Sequence, residues 1–265
     1  MEHDADQSHP RYESLLKRRL LEQAAAKGML ADSALIAHGR GEAFDYLLGE
    51  RTTASANAAT AEACARLVAA KRAVISINGN VAALAADNLI CVAALLGCPL
   101  EINIFYRTPE RMEALLSHMY ERKIAASKSP PPGFQSSLES WHASVEQVEI
   151  LGANPDGRIP SLEGPRAKCH IDGILNSDVI LVPLEDGDRC EALVAMGKDV
   201  LVVDLNPLSR SAKMASVTIV DELTRFSANL ITEICRGAQQ PNWQWDNPAN
   251  LQAALDEIAA NILSD

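Results

Sequence analysis

The runs "AVISI" (73–77), "DVILVPL" (178–184) and "DVLVVD" (199–204) constrain this chain more than any other feature. A strand with one wet face alternates apolar and polar residues, whereas these runs are apolar at nearly every position and need cover on both faces. Shorter β-rich runs, "LEINIF" (100–105), "VEIL" (148–151) and "VTIV" (217–220), extend the set. Helical patterns separate them: one over 81–96, one from Thr108 with Met112, Leu115, Leu116 and Met119 sharing a face, and one after Asp221 with Leu223, Phe226, Leu230, Ile231 and Ile234. Thr108 suits an N-cap and Pro109 the first helical position. Alternating strand and helix with doubly covered strands predicts an α/β fold, a mostly parallel sheet with helices on both faces.

Before this pattern, "YESLLKRRLLEQAAAKG" (12–28) predicts a helix with Leu15, Leu16 and Leu20 on its apolar side and Gly28 as its stop. Residues 1–30 thus form an amino-terminal helical segment of one domain spanning 1–265, with a local excess of cations at Arg11, Lys17, Arg18 and Arg19. Ser, Pro and Gly break any period in "SKSPPPGFQSSLESWH" (127–142), which predicts a surface loop. The carboxy-terminal "NLQAALDEIAANIL" is a further amphipathic helix.

Composition then excludes several function classes. Aromatics are only 4% of a chain that is 48% hydrophobic, so the core is built from Ala, Val, Leu and Ile. A formal charge of −11 argues against nucleic acid or an anionic membrane as partner, and a polyanionic ligand needs a local basic pocket. Six cysteines without C-x-x-C and six histidines without H-x-x-x-H leave no zinc-ligand spacing. No signal-like stretch and no apolar run of about 20 residues stands out, so the expected location is the cytoplasm, with reduced thiols.

In open parallel sheets, ligands bind beyond the carboxyl ends of the strands, and the polar residues of this chain collect there. Asn78, Gly79 and Asn80 lead from a strand into a helix, either a phosphate-holding turn or a plain βα turn. Glu185, Asp186 and Asp188 around Gly187 suit Mg²⁺, a ribose hydroxyl or simply a helix amino terminus. "VVDLNPLSRSAKMA" (202–215) ends a buried strand in a polar, cationic loop. In "IAHGRGEAFDYLLGERT" (36–52), glycines flank Arg40, whose forked donors suit a phosphate or carboxylate. Phe44 stands where a dinucleotide fingerprint has its third glycine, and the chain has no G-x-x-x-x-G-K-[ST] loop. Tyr106 and Arg107 end another strand, and Asn154, Arg158 and Glu163 lie in a loop after a further one.

Six motifs in order, "SHPRYESL", "ALIAHGRGEAFDYLLGERT", "ISINGNVAAL", "LEINIFYRT", "VPLEDGDR" and "VDLNPLSRSA", resemble the archaeal 4-phosphopantoate–beta-alanine ligase family, also called phosphopantothenate synthetase. The resemblance covers residues 8 to about 235. The loop 127–142 is longer than the familiar pattern, and the tail beyond 236 falls outside it. It implies a Rossmann-like core, a homodimer, and ATP-dependent condensation of 4-phosphopantoate with β-alanine to 4′-phosphopantothenate, AMP and pyrophosphate in coenzyme A biosynthesis. The implied route is an acyl-adenylate, which needs charge neutralisation more than a protein nucleophile. By resemblance, ATP contacts are expected at Arg18, Arg40, Asp204, Leu205, Asn206, Arg210 and Ser211, and by placement at Glu222 and Leu223. Arg40 and Arg210 are the expected catalytic cations. Asn78, Gly79, Asn80 and Arg107 are expected on the phosphopantoate phosphate, and Glu185, Asp186 or Asp188 on Mg²⁺. Two other classes compete: a nucleotide-binding regulatory protein without chemistry, which needs only one of the two motif sets, and a nicotinamide oxidoreductase, disfavoured by the missing glycine.

Overall fold

A computed structural model describes residues 7–261. The first six residues of the predicted amino-terminal segment lie outside them. Three helices come first, α1 (Tyr12–Ala26), α2 (Asp32–Leu47) and α3 (Ala54–Ala69). Then β1 (Ala73–Ile77), α4 (Gly79–Leu96), β2 (Leu100–Ile102), α5 (Pro109–Ala126), α6 (Leu138–Glu146) and β3 (Ile150–Leu151) form one half of the sheet and its cover. A two-residue ribbon, β4 (Gly157–Arg158) and β5 (Lys168–Cys169), crosses to the second half. That half comprises β6 (Val179–Pro183), α7 (Gly187–Ala195), β7 (Asp199–Val203), α8 (Arg210–Met214), β8 (Val217–Ile219) and α9 (Leu223–Arg236), and α10 (Asn247–Asn261) ends the described chain.

The main sheet is wholly parallel, in the order β3-β2-β1-β6-β7-β8. Strand order reverses between β1 and β6, the doubly wound Rossmann-like arrangement, and the two strand ends open a crevice there. Alternate residues point to opposite layers. Ile75, Leu181, Leu201 and Val203 join the layer of α3, α4 and α9, while Val74, Ile180, Val182, Val200 and Val202 join the layer that contains Cys190 and Leu193 of α7. The apolar runs of the sequence are thus covered on both sides, as their composition requires.

Helix α4 is mostly apolar, and its 18 residues have a mean hydropathy of 1.7 that matches a membrane span by length and composition. This 18-residue stretch departs from the expectation that no apolar run approaches the length of a span. Here α4 is the central core helix: Val81, Leu89, Ile90 and Val92 are fully buried, and α1, α5 and α9 pack around it.

Two further expectations change. The buried positions of α1 are Ser14, Lys17, Leu21 and Ala24, with Leu15, Leu16 and Leu20 only half-buried, because the inward face carries Ser14 and Lys17 onto Glu50 and Glu222. "HGRGE", to which the sequence reading gives no element, forms the middle of α2, where Gly39 and Gly41 are helical. In the expected surface loop 127–142, Ser137 caps a helix from Leu138, accepting from the Ser140 N–H, and α6 carries the buried Trp141. The Trp141 indole donates to the Ala126 carbonyl at 2.9 Å and its ring meets Phe134 edge-on. Pro and Ser residues mask this helix in the sequence. Replacing Trp141 by alanine should lower unfolding free energy by about 3–5 kcal/mol in urea titrations, since it removes the largest buried side chain of this layer and leaves a carbonyl unpaired.

Candidate active site

A cavity of about 660 Å³ opens over the carboxyl ends of the strands, and its walls come from both strand-end loops and the first two helices. After β6 stand Leu184 and Glu185, after β7 Asp204, Leu205 and Asn206, and after β8 Glu222 and Leu223. Helix α1 contributes Ser14 and Lys17, and α2 contributes His38, Arg40, Glu42 and Phe44. Apolar walls with a few convergent charges are the common make-up of a small-molecule site.

Ion pairs hold this wall in place. Lys17 Nζ lies 2.9 Å from Glu222 Oε2 with both groups buried. Burial pushes the Glu222 carboxyl up, but Lys17 and the Thr224 hydroxyl outweigh it and hold it below the usual carboxylate range. Asp45, the single buried residue of α2, accepts from the Arg225 guanidinium, which also donates to Asp221. Glu42 accepts from Arg11 and Arg18, and Glu50 from Arg11 and the Ser14 hydroxyl. Arg40 differs from these: it lines the cavity, is exposed, and has no hydrogen-bond or ion-pair partner among the described residues. His38 is half-buried there, and burial pushes its imidazole below the usual histidine range against the opposing pull of Glu42 and Glu222.

The loop after β7 is organised by its own polar groups. Asp204 accepts from the Asn206 N–H at 2.9 Å and from the Ser209 hydroxyl, and Asn206 Oδ1 accepts from the Leu208 N–H. Burial pushes the Asp204 carboxyl up against those bonds. Ser209 caps α8, so Arg210 and Ser211 begin that helix; Ser211 donates to the Glu185 carbonyl, and Arg210 reaches Asp188 at 2.7 Å and Glu191 at 2.8 Å. A Cβ at Gly187 would stand 2.5 Å from that of Arg210, so glycine lets α7 and α8 start side by side.

A second cavity of about 330 Å³ adjoins the first and shares Ala37, Asn80, Leu184 and Glu185 with it. The first turn of α4 lines it, with Asn78 capping the Val81 N–H and donating to the Pro183 and Leu184 carbonyls. A Cβ at Gly79 would meet the Met29 carbonyl at 2.7 Å, so only glycine fits this approach. Two arginines complete the lining. Arg111 donates to the Met29 and Tyr106 carbonyls, and burial pushes its pKa down with no carboxylate partner among the described residues. Arg166 lies 3.0 Å from Asp188, also pairs with Asp186, and stacks over Phe105 at 4.9 Å. A desolvated guanidinium beside a helix amino terminus favours an anion.

The structure therefore brings Arg40, Asp204, Leu205, Asn206, Arg210, Ser211, Glu222 and Leu223 around one cavity, and Asn78, Gly79 and Asn80 around its neighbour. Arg18 stays on the outer side of α1, paired with Glu42. Arg107 lines neither cavity and donates to the Gly152 carbonyl instead. Asn154, Arg158 and Glu163 lie on the crossover away from both, with Arg158 donating to the Leu162 carbonyl. Lys17 and His38 belong to clusters visible in the sequence but carry no local mark that sets them apart. Arg111 and Arg166 carry none at all, because the chain folds them toward α4 from elements 32 and 87 residues beyond Gly79.

The three acidic residues expected to hold Mg²⁺ do not form a metal cage. Glu185 pairs with the buried Arg189, and burial pushes its carboxyl up. Asp186 caps α7, and Asp188 bridges Arg166 and Arg210. Among the described residues no group of three His, Cys, Asp or Glu side chains gathers to hold a metal.

The family model for phosphopantothenate/pantothenate synthetase matches residues 55–261. The chain belongs to that family. A 4-phosphopantoate–beta-alanine ligase of Thermococcus kodakarensis is 50% identical over 224 residues, 84% of this chain and 77% of that one. Its counterpart in Thermococcus onnurineus is 48% identical over 229 residues, 86% of this chain and 79% of the other. The Methanosarcina mazei protein of the same name is 40% identical over 270 residues, covering 98% and 96% of the two chains. The match to residue 261 also brings into the family the carboxy-terminal segment that the motif resemblance leaves out.

In this synthetase-family chain, Lys17→Met should cost about 3–5 kcal/mol at neutral pH, because it leaves a buried carboxylate unpaired. Glu222 now titrates below its unfolded pKa, so its contribution is present above the ordinary glutamate range and is lost as pH falls through the lower folded value. Without Lys17 the carboxyl is raised instead, and that sign inverts: the variant should gain stability as pH drops from neutral toward 5, read from urea midpoints across pH.

Proposed function

We propose that this chain is an ATP-dependent ligase that joins 4-phosphopantoate to β-alanine, giving 4′-phosphopantothenate, AMP and pyrophosphate. The observation that carries the reading is the pair of contiguous cavities, each with its own cations, at the strand-order switch of the sheet. One anionic ligand needs one such site; a reaction between ATP and a phosphorylated acid needs two that touch. The names of the relatives point to the same reaction.

In this reading ATP takes the larger cavity. Its phosphates lie toward Arg40 and Arg210, with Ser211 and the start of α8 nearby, and Asp204, Leu205 and Asn206 hold the nucleoside end beside Leu223 and Phe44. Phosphopantoate takes the smaller cavity, its phosphate on Arg111, Arg166 and the first turn of α4. Its carboxylate then reaches past Asn80 toward the α-phosphorus, forming the acyl-adenylate and releasing pyrophosphate. Arg40 and Arg210 offset the charge that develops there. Magnesium that accompanies ATP is held mainly by phosphate oxygens and water and needs no dedicated protein cage.

We further propose a homodimer, for which Ile36 (69% exposed), Tyr46 (62%) and Leu47 (48%) on α2 offer apolar surface. A cytoplasmic setting suits six free cysteines, five of them buried.

Purified protein given Mg²⁺-ATP and β-alanine should form phosphopantothenate and AMP with 4-phosphopantoate and not with pantoate, as read by mass spectrometry. ATP binding without AMP formation would instead favour a regulatory protein. Arg40→Ala should raise KM for ATP about ten- to a hundredfold, the loss of one charge-assisted contact of roughly 1.5–3 kcal/mol. Arg111→Met should raise KM for phosphopantoate by a similar factor and leave KM for ATP within about twofold; the reverse pattern would exchange the two cavities.

A further inference from the structure

An amide bond cannot form from β-alanine until its ammonium loses a proton, and the site must supply a base. Five carboxylates line or flank the larger cavity, and each is already engaged. Glu42 is held by Arg11 and Arg18, Asp45 by Arg225, Glu222 by Lys17, Glu185 by Arg189, and Asp204 by Ser209 and the Asn206 N–H. Their lone pairs point at cations and donors of the scaffold. His38 is the imidazole among the cavity-lining residues, and neither ring nitrogen has a hydrogen-bond or ion-pair partner among the described residues.

Its position fits the task. His38 lies one helical turn beyond Ala34 on α2, and the Ala34 carbonyl accepts from Asn80 at 3.2 Å. Asn80 lines both cavities, so His38 stands on the helix face beside their junction, where the acyl carbon of an adenylate must lie. We propose that His38 is the general base of amide formation. The imidazole takes one proton from the β-alanine ammonium, and the freed amine pair attacks the acyl carbon. The new C–N bond forms, the C–O bond to AMP breaks, and the second amine proton passes to the departing phosphate and so to solvent.

The charged groups facing His38 are Lys17 and Arg18 from α1, Glu42 from its own helix and Glu222 from the cap of α9. Burial together with the two cations keeps the ring neutral at physiological pH, despite the two carboxylates. A neutral imidazole accepts a proton.

This proposal rests on the ligase reading, and the half-reactions separate the two. Phosphopantoate-dependent exchange of labelled pyrophosphate into ATP reports adenylation and needs no base for the amine. Hydroxylamine, largely unprotonated at neutral pH, traps the acyl-adenylate as a hydroxamate without deprotonation. In His38→Gln, exchange and hydroxamate formation should stay within about threefold of wild type, while amide formation with β-alanine falls about 10²- to 10⁴-fold. Equal loss of exchange and amide formation in His38→Gln, or equal loss of hydroxamate and amide formation, would overturn the role of His38 and leave the ligase standing. Absence of exchange in the unaltered protein would sink the adenylate reading itself.

Discussion

Helices α1 and α2 are tied to the start of α9 by buried ion pairs. Helix α2 buries a single residue, and that residue is Asp45, tied to Arg225 of α9. Helix α1 buries Lys17 on Glu222 alongside Leu21 and Ala24. A helix held by apolar area alone slides at little expense, whereas a buried pair penalises any shift that strands one partner. The wall that carries Arg40 and His38 is therefore fixed relative to the strand ends, and the shape of the larger cavity depends on these two contacts.

The sheet sets where that wall can matter. Doubly covered parallel strands have no wet face, so polar groups are confined to their ends, and the reversal of order between β1 and β6 opens the crevice at the carboxyl ends. The loops that follow β1, β6, β7 and β8 all face it. Two adjoining cavities result, with Asn80, Leu184 and Glu185 as the shared partition. A chain of charge −11 can still keep cations free in these cavities, because acidic residues near them pair with scaffold arginines and leave Arg40 and Arg111 without carboxylate partners among the described residues.

That division of labour also accounts for what the motifs conceal. Asp45, Glu50 and Arg51 sit in the same dense motif as Arg40, yet Asp45 holds α9, Glu50 holds α1 and Arg51 pairs with Glu257 of α10. The cluster Glu185, Asp186 and Asp188 looks like a cation site in one dimension. In three dimensions each member meets an arginine, and one of those, Arg166, comes from a loop some 20 residues earlier.

The order of strands and helices, the double cover of the sheet and the strand-end position of "NGN" and "DLNPLSRS" were legible in the sequence, because a period of two or 3.6 and a cap are local properties of the backbone. The family was legible too, through six motifs in order. Tertiary structure alone decided that "HGRGE" is helical, that Trp141 lies in a core helix, that Arg107 turns to Gly152 and that Arg111 and Arg166 line the cavity beside the "NGN" turn. The physical reason is that an ion's role depends on what neutralises it. For most charges here the neutralising partner lies tens to hundreds of residues away, beyond the reach of any local pattern.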